Sequence, residues 1–405
     1  MSNKKSNTFL YGFVKFASAV FSKLIFKRKY LRNEIKGKKG PFVIIGNHEA
    51  ALDFTSLIGT TREHITFVVS DSFYNTLPVK GFMKGVGVIP KQQFQTTLHE
   101  ISAMRNTLKN NGILMLYPAG LMSENGLPTP IPEDTYEFLR WLDADVYAAK
   151  ISGTYFCTPK WSGKTRRGRT YLDVYKLFDK EALHGMEPWQ IKEAVDGALY
   201  FDAYREQEKN MVKYTGGDNI EGLENVLYIC PNCKSEFSVR VKNKKTIYCK
   251  KCGFEHTSDK YGFLHNTGKV GEEIRYVSDW ARFVSDYIRE KIECGELCEL
   301  SSYATVQTID YDKKKYVDVG RAKITLLHDT FIIDGKINGE EQKLEIPTKT
   351  FASLPFKPGC RIEIQHGKTT YRCVLDDGRL AQKFVDMVKI YYDIHHATIK
   401  PKATV

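Results

Sequence analysis

The chain has no internal repeat and no low-complexity tract, and its composition excludes collagen, long disorder and a polytopic membrane protein. It has no Gly-x-Ser-x-Gly elbow, so the usual nucleophilic serine of a hydrolase is missing. His48-Glu49 lacks the second histidine of a zinc-protease helix. Gly163-Lys164-Thr165 is preceded by Thr158 where a phosphate-binding loop needs glycine. The first apolar run is followed directly by Lys27, Arg28 and Lys29 with no small-x-small cleavage site, against a signal peptide. Net positive charge is also scarce beyond the front end: residues 1–40 carry eleven Lys/Arg against Glu34 alone, or +10 of the net +12. Cysteine is present nine times, an odd number, and two Cys-x-x-Cys pairs account for four of them. That pattern points to thiols and metal in a reducing setting, and away from a disulfide framework.

At 405 residues the chain has room for two or three domains, each with its own core. Phe9, Phe13, Phe16, Val20 and Leu24 fall on one stripe of a helix, with Lys15, Ser18 and Ser22 opposite. With its basic flank, residues 1–40 read as an amphipathic, membrane-associating segment lying in the interface; a packed helix and a spanning one are the alternatives. From Gly40, short apolar runs alternate with helical stretches, as in an α/β domain over 41–214. Strands are expected at Phe42–Gly46, Ile65–Val69, Ile113–Tyr117, Val146–Ile151 and Tyr171–Leu177. Helices are expected from a Thr96 cap to Asn110, with Leu98 inward, and from Pro188 to about Lys209. A cysteine module (215–268), a connecting helix (269–300) and a β-rich region (301–405) complete the chain. The last, with six or seven short strands and a closing helix from Arg379, suggests a small capped barrel.

Asn47-His48-Glu49-Ala50-Ala51-Leu52-Asp53 leaves the first strand of this domain. At about 100° per residue, positions five apart do not share a helix face. His48 and Asp53 can meet if the histidine sits on the loop and the aspartate in the first helical turn. The carboxylate then orients the imidazole, making His48 a general base for a hydroxyl. This motif resembles the first motif of the glycerolipid acyltransferases, the lysophosphatidic acid acyltransferase family. Lys80-Gly81-Phe82-Met83-Lys84-Gly85-Val86-Gly87-Val88-Ile89-Pro90-Lys91 is similar to the second, with Lys91 where the family usually has arginine. Tyr117-Pro118-Ala119-Gly120-Leu121-Met122-Ser123 is similar to the third, usually Phe-Pro-Glu-Gly-Thr-Arg-Ser, and Val146–Ile151 to the fourth without its proline.

The resemblance covers about residues 10–210. It implies an α/β acyltransferase domain, an acyl-CoA or acyl-carrier-protein donor, and a membrane-borne lysophospholipid acceptor, by default lysophosphatidate converted to phosphatidate. It implies His48 as base and Asp53 as its orienter, with Lys84, Lys91, Gly120 and Ser123 on the substrate side. Ala119 and Met122 replace charged residues of the acceptor motif, so a different acceptor is one alternative. An inactive membrane adaptor is another.

Cys230-Pro231-Asn232-Cys233 and Cys249-Lys250-Lys251-Cys252 present two thiol pairs with fifteen residues between them. Such spacing suits a closed four-sulfur zinc site of structural type, and the module resembles a zinc ribbon. It is basic, but Phe237, Tyr248 and Phe254 are expected to pack on the metal loops, so nucleic acid is not the expected partner. The C-terminal region resembles a pleckstrin-homology-like barrel with its closing helix. The expected place for the whole protein is the cytoplasmic face of a membrane, peripherally bound.

Overall fold

The computed structural model describes residues 7–76, 80–92 and 97–397. The chain divides into two compact units, Met1–Gly217 with Lys260–Gly262, and Asp218–Asp259 with Phe263–Val405. The first forty residues thus belong with the α/β region, and the cysteine module with the C-terminal region.

The first unit is built on seven strands: β1 (Lys29–Asn33), β2 (Phe42–Gly46), β3 (Ile65–Ser70), β4 (Ile89–Lys91), β5 (Ile113–Leu116), β6 (Asp145–Ser152) and β7 (Tyr171–Phe178). Their order is β1-β7-β6-β2-β5-β3-β4. β2 lies at the centre, parallel to β5 on one side and β6 on the other. All five β2 residues are buried, because helices cover both faces of the sheet. Val43, Ile45, Leu114 and Val146 face helices Leu98–Lys109, Asp134–Trp141 and Pro188–Leu199. Ile44, Met115, Tyr147 and Ile151 face Leu57 and Tyr11. β2 is a central strand whose neighbours connect in opposite directions, and open α/β sheets bind ligands beyond the carboxyl end of such a strand.

Two local expectations change. The cap expected at Thr96 lies outside the described residues; Thr97 caps the helix instead, in a reciprocal box with Glu100, and Leu98 in its first turn is exposed. The helix expected from Pro188 to Lys209 breaks at Leu199, because Asp202 caps a new one (Ala203–Asn210) by accepting the Tyr204 and Arg205 N–H groups. In the second motif a helix (Lys80–Val86) and a left-handed Gly87 lead into β4.

The N-terminal helix, Thr8–Leu24, packs by Leu10, Tyr11 and Val14 together with polar side chains. The Ser22 hydroxyl donates to the Thr55 carbonyl (2.8 Å), the Tyr11 hydroxyl accepts the Ile65 N–H (2.9 Å), and the Lys15 ammonium donates to the Thr61 carbonyl (2.5 Å). The apolar stripe points outward, with Phe9 86%, Phe13 60% and Phe16 69% exposed. Among the described residues no helix is long and apolar enough to cross a membrane.

The second unit holds two antiparallel sheets. The smaller, β8 (Val239–Lys242), β9 (Thr246–Cys249), β10 (Glu255–Ser258) and β11 (Leu264–Asn266), runs in order β11-β10-β9-β8. Fully buried Trp280, on helix Val277–Glu293, donates its indole N–H to the Ile229 carbonyl (2.8 Å). The larger comprises β12 (Leu300–Asp310), β13 (Lys315–Leu326), β14 (Thr330–Ile337), β15 (Glu340–Pro347), β16 (Phe356–Lys357), β17 (Arg361–His366) and β18 (Thr369–Leu375). Its order is β15-β14-β13-β12-β18-β17-β16, with β15 and β16 at its ends. The closing helix, Leu380–Ala397, lays Phe384 on Phe331 (centroids 6.2 Å).

Candidate active site

The site begins where β2 ends. Asn47 is buried, and its side-chain amide accepts the Ile151 N–H (2.7 Å) and donates to the Ile151 carbonyl (2.8 Å), tying the strand end to β6. The next residue, His48, is therefore launched from a fixed point. Asp53 starts the short helix Asp53–Leu57 and is fully buried. Its Oδ2 accepts three bonds: from His48 Nδ1 (2.9 Å), from the Glu49 N–H (2.9 Å) and from the Ala50 N–H (3.0 Å). A spacing of five works because the intervening loop is wrapped around one carboxylate oxygen. With Nδ1–H donated to Asp53, Nε2 carries the lone pair and is the atom able to take a proton. The His48 side chain is 17% exposed, so Nε2 chemistry would take place in a largely desolvated site.

The other face of the imidazole is covered by Tyr117, stacked at 4.1 Å between centroids and 16° between planes. Burial, followed by the Asp53 charge, pushes its phenol well above the ordinary value. Its hydroxyl has no hydrogen-bond partner among the described residues. A Cβ at Gly46 would stand 2.8 Å from Met115 Cε and 3.3 Å from Tyr117 Cε1, so a side chain there would press on the stack. The His48 carbonyl accepts the Ser123 N–H (3.0 Å), so the third-motif loop fixes the histidine's main chain.

Ser123 was expected on the substrate side. It is fully buried, and its hydroxyl donates to the Leu127 carbonyl (2.7 Å) and accepts the Gly126 N–H (2.9 Å). Its contact with the site is through the backbone. Gly120 is an exposed left-handed turn residue (φ +66°) with open space around its α-carbon, next to the histidine–tyrosine stack. Lys84 is exposed on its helix. Lys91 ends β4, three strand positions from β2 along one parallel edge, or about 14 Å at ~4.8 Å per strand. Burial draws its ammonium down, against the pull of Glu100 and Asp134. The structure thus brings His48, Asp53, Gly120 and Ser123 to one strand end and sets Lys84 and Lys91 across the sheet.

Glu49 is a residue the sequence reading used only to reject a zinc helix. It is fully buried, and its Oε2 accepts the Thr154 hydroxyl and the Tyr155 N–H, each at 3.0 Å. Burial first, then the charge of Asp53, raises its carboxyl to about 8, so Glu49 holds its proton at neutral pH. The folded state therefore holds a proton that the unfolded state releases from about pH 4.5 upward, and this stabilisation is lost as pH rises to about 8. Glu49→Gln, which keeps the shape without the acid, should outlast the native protein at about pH 8.5 by a few kcal/mol and lose that advantage at about pH 4. Urea midpoints at the two pH values measure this; equal pH dependence in both proteins would refute it.

In the second unit the sulfurs of Cys230, Cys233, Cys249 and Cys252 converge within 4.8 Å. Cys230 Sγ lies 3.6 Å from Cys252 Sγ, and Cys233 Sγ lies 3.7 Å from Cys249 Sγ. A tetrahedral ion with metal–sulfur bonds of ~2.3 Å requires edges of about 3.8 Å, so the four thiols fit one such ion. Cys249 Sγ also meets the Ser238 hydroxyl (3.1 Å) and the Lys251 N–H (3.4 Å), partners that hold a thiolate in place.

Comparison with known proteins comes down to this strand end. Among solved structures, the 1-acyl-sn-glycerophosphate (LPA) acyltransferase PlsC from Thermotoga maritima is 17% identical, with a TM-score of 0.40 over 50% of this chain and 78% of that one. The Ran binding domain of the nuclear complex component Nup2 from Ashbya gossypii is 21% identical, with a TM-score of 0.19 over 24% of this chain and 99% of that one. At these TM-scores neither similarity decides the fold. No curated protein matches the chain. Residues 27–152 match the Acyltransferase family. That span runs from β1 through β6 and takes in the loop where His48 meets Asp53, so the acyltransferase-family match falls on the part of the first unit that holds the candidate site.

Proposed function

We propose that the chain is a peripheral membrane O-acyltransferase that moves a fatty acyl group from acyl-CoA or an acyl-carrier protein to a lysophospholipid hydroxyl. Its default reaction is lysophosphatidate to phosphatidate. The observation that carries the reading is the 2.9 Å contact between His48 Nδ1 and Asp53 Oδ2 at the end of β2. His48 Nε2 takes the proton of the acceptor hydroxyl as its oxygen attacks the thioester carbonyl. The tetrahedral oxyanion collapses with loss of the carrier thiolate, and the imidazolium returns the proton to that sulfur. Asp53 stabilises the imidazolium. Lys91, with Lys84, steers an anionic acceptor along the strand edge as a point charge. Ala119 and Met122, in place of the charged pair of the family motif, favour a second reading in which the acceptor is another lysolipid.

The four thiols are assigned to structural zinc, which when bound ties the two cysteine turns together and leaves no open position. The seven-stranded sheet and closing helix are read as a PH-like domain. The outward stripe of Phe9, Phe13 and Phe16 is read as the surface that enters the interface of a cytoplasmic membrane face. A panel of lysolipids in anionic vesicles, offered with long-chain acyl-CoA or acyl-carrier protein, tests both points. Transfer to lysophosphatidate is expected, and no transfer to any acceptor from either donor would overturn the proposal. Replacing the three phenylalanines by serine should cut transfer on vesicles about tenfold or more, while short-chain soluble substrates react as before.

A further inference from the structure

The second unit carries a cluster of metal-ligating side chains far in sequence from its cysteines. His328 and Asp329 occupy the turn between β13 and β14, and His395 lies in the last turn of the closing helix. His328 Nδ1 stands 2.8 Å from Asp329 Oδ1, and His395 Nε2 stands 3.2 Å from the same oxygen. The imidazole centroids are 4.7 Å apart. One donor atom from each of the three side chains lies within 4.8 Å of the others.

The arrangement is held from behind. The Thr348 hydroxyl donates to the His328 carbonyl (2.7 Å), and the Thr348 N–H donates to the Asp329 carbonyl (3.0 Å). Tyr391, one helical turn before His395, sets its ring edge-on against His328 (4.9 Å). The last carbonyls of the helix add partial negative charge where a cation would sit. Two imidazole nitrogens and one carboxylate oxygen suit Zn²⁺ and not Ca²⁺ or Mg²⁺, which take mainly oxygen. The side chains of His328 and Asp329 are exposed, so solvent can complete the coordination.

We propose that His328, Asp329 and His395 form a second zinc site, with three protein ligands and one water, joining the β13–β14 turn to the end of the closing helix. An ion placed there would replace one hydrogen bond and one ion-pair contact to a single carboxylate oxygen with three coordinate bonds of about 2.0–2.2 Å. Having an open position and no thiolate, it would release its ion to a mild chelator before the four-cysteine site does.

The experiment counts zinc in the full-length chain after zinc loading and desalting, by elemental mass spectrometry, in the native protein and in His328→Ala/His395→Ala. One ion per chain fewer is expected in the double variant, and Asp329→Asn should retain its ion more weakly. Added zinc should raise the thermal midpoint of the native protein and leave that of the double variant unmoved. With cobalt in place of zinc, the native-minus-variant spectrum should show weak visible bands without thiolate charge transfer, which separates this ion from a cysteine-bound one. Equal metal counts, or a difference spectrum carrying thiolate charge transfer, would overturn the assignment.

Discussion

Replacing His48 by alanine lowers acyl transfer about a thousandfold or more and leaves a folded protein. The size follows from the role: an imidazole that removes the acceptor's proton acts in the transition state, and general-base catalysis of this kind contributes ~10²–10⁴ in rate. The loss should appear in kcat with the Michaelis constants little changed, because His48 is given no part in ground-state binding. Asp53→Asn should be nearly as damaging. An amide at that position can turn its NH₂ toward His48 Nδ1 and force the imidazole into the wrong tautomer, an exchange that costs about 10⁴ in a serine-protease triad. Here it would also oppose the Glu49 and Ala50 N–H groups, both now directed at Oδ2. Steady-state kinetics with circular dichroism as a folding control decides the matter. Transfer surviving within tenfold of native in His48→Ala would remove the catalytic role given to His48.

Cys249→Ser should lose one bound zinc ion and lower the melting of the second unit by about 10 °C or more. Structural zinc in finger-like peptides supplies an apparent ~10–16 kcal/mol at neutral pH. The small β8–β11 sheet has little apolar interior of its own, although Trp280 and Phe254 anchor one side of it. Several kcal/mol lost from a unit of this size corresponds to about that shift. Calorimetry with metal analysis measures both quantities, and an unchanged zinc content would dispose of the four-thiol assignment.

How far these sites were legible in the sequence depended on how local their signals are. The β2 run Phe42–Gly46 announces a strand covered on both faces, and the His48-x4-Asp53 spacing is readable because the loop between them is all that joins them. The cysteine spacing carries its geometry in the same way. Tyr117 was different: it reaches His48 only because β5 lies beside β2, a pairing across about seventy residues that no local pattern encodes. Glu49 looked like an ordinary polar loop residue, and only the fold supplies the Thr154 and Tyr155 donors that bury it. Ser123 has a motif letter that suggests a hydroxyl at work, whereas the fold uses its N–H. The apolar stripe of the first helix was plain from its period, but which side packs was not. Tyr11, Lys15 and Ser22 settle that through hydrogen bonds to residues 55–65, beyond the reach of a helical wheel.

That inside-out helix has a consequence for handling the protein. A row of large apolar side chains kept outward without lipid will seek any other cover, and a second copy offers an equal row. On the membrane reading proposed above, vesicles and self-association would compete for one surface, and the solubility of the lipid-free chain would set how concentrated it can become before copies join stripe to stripe.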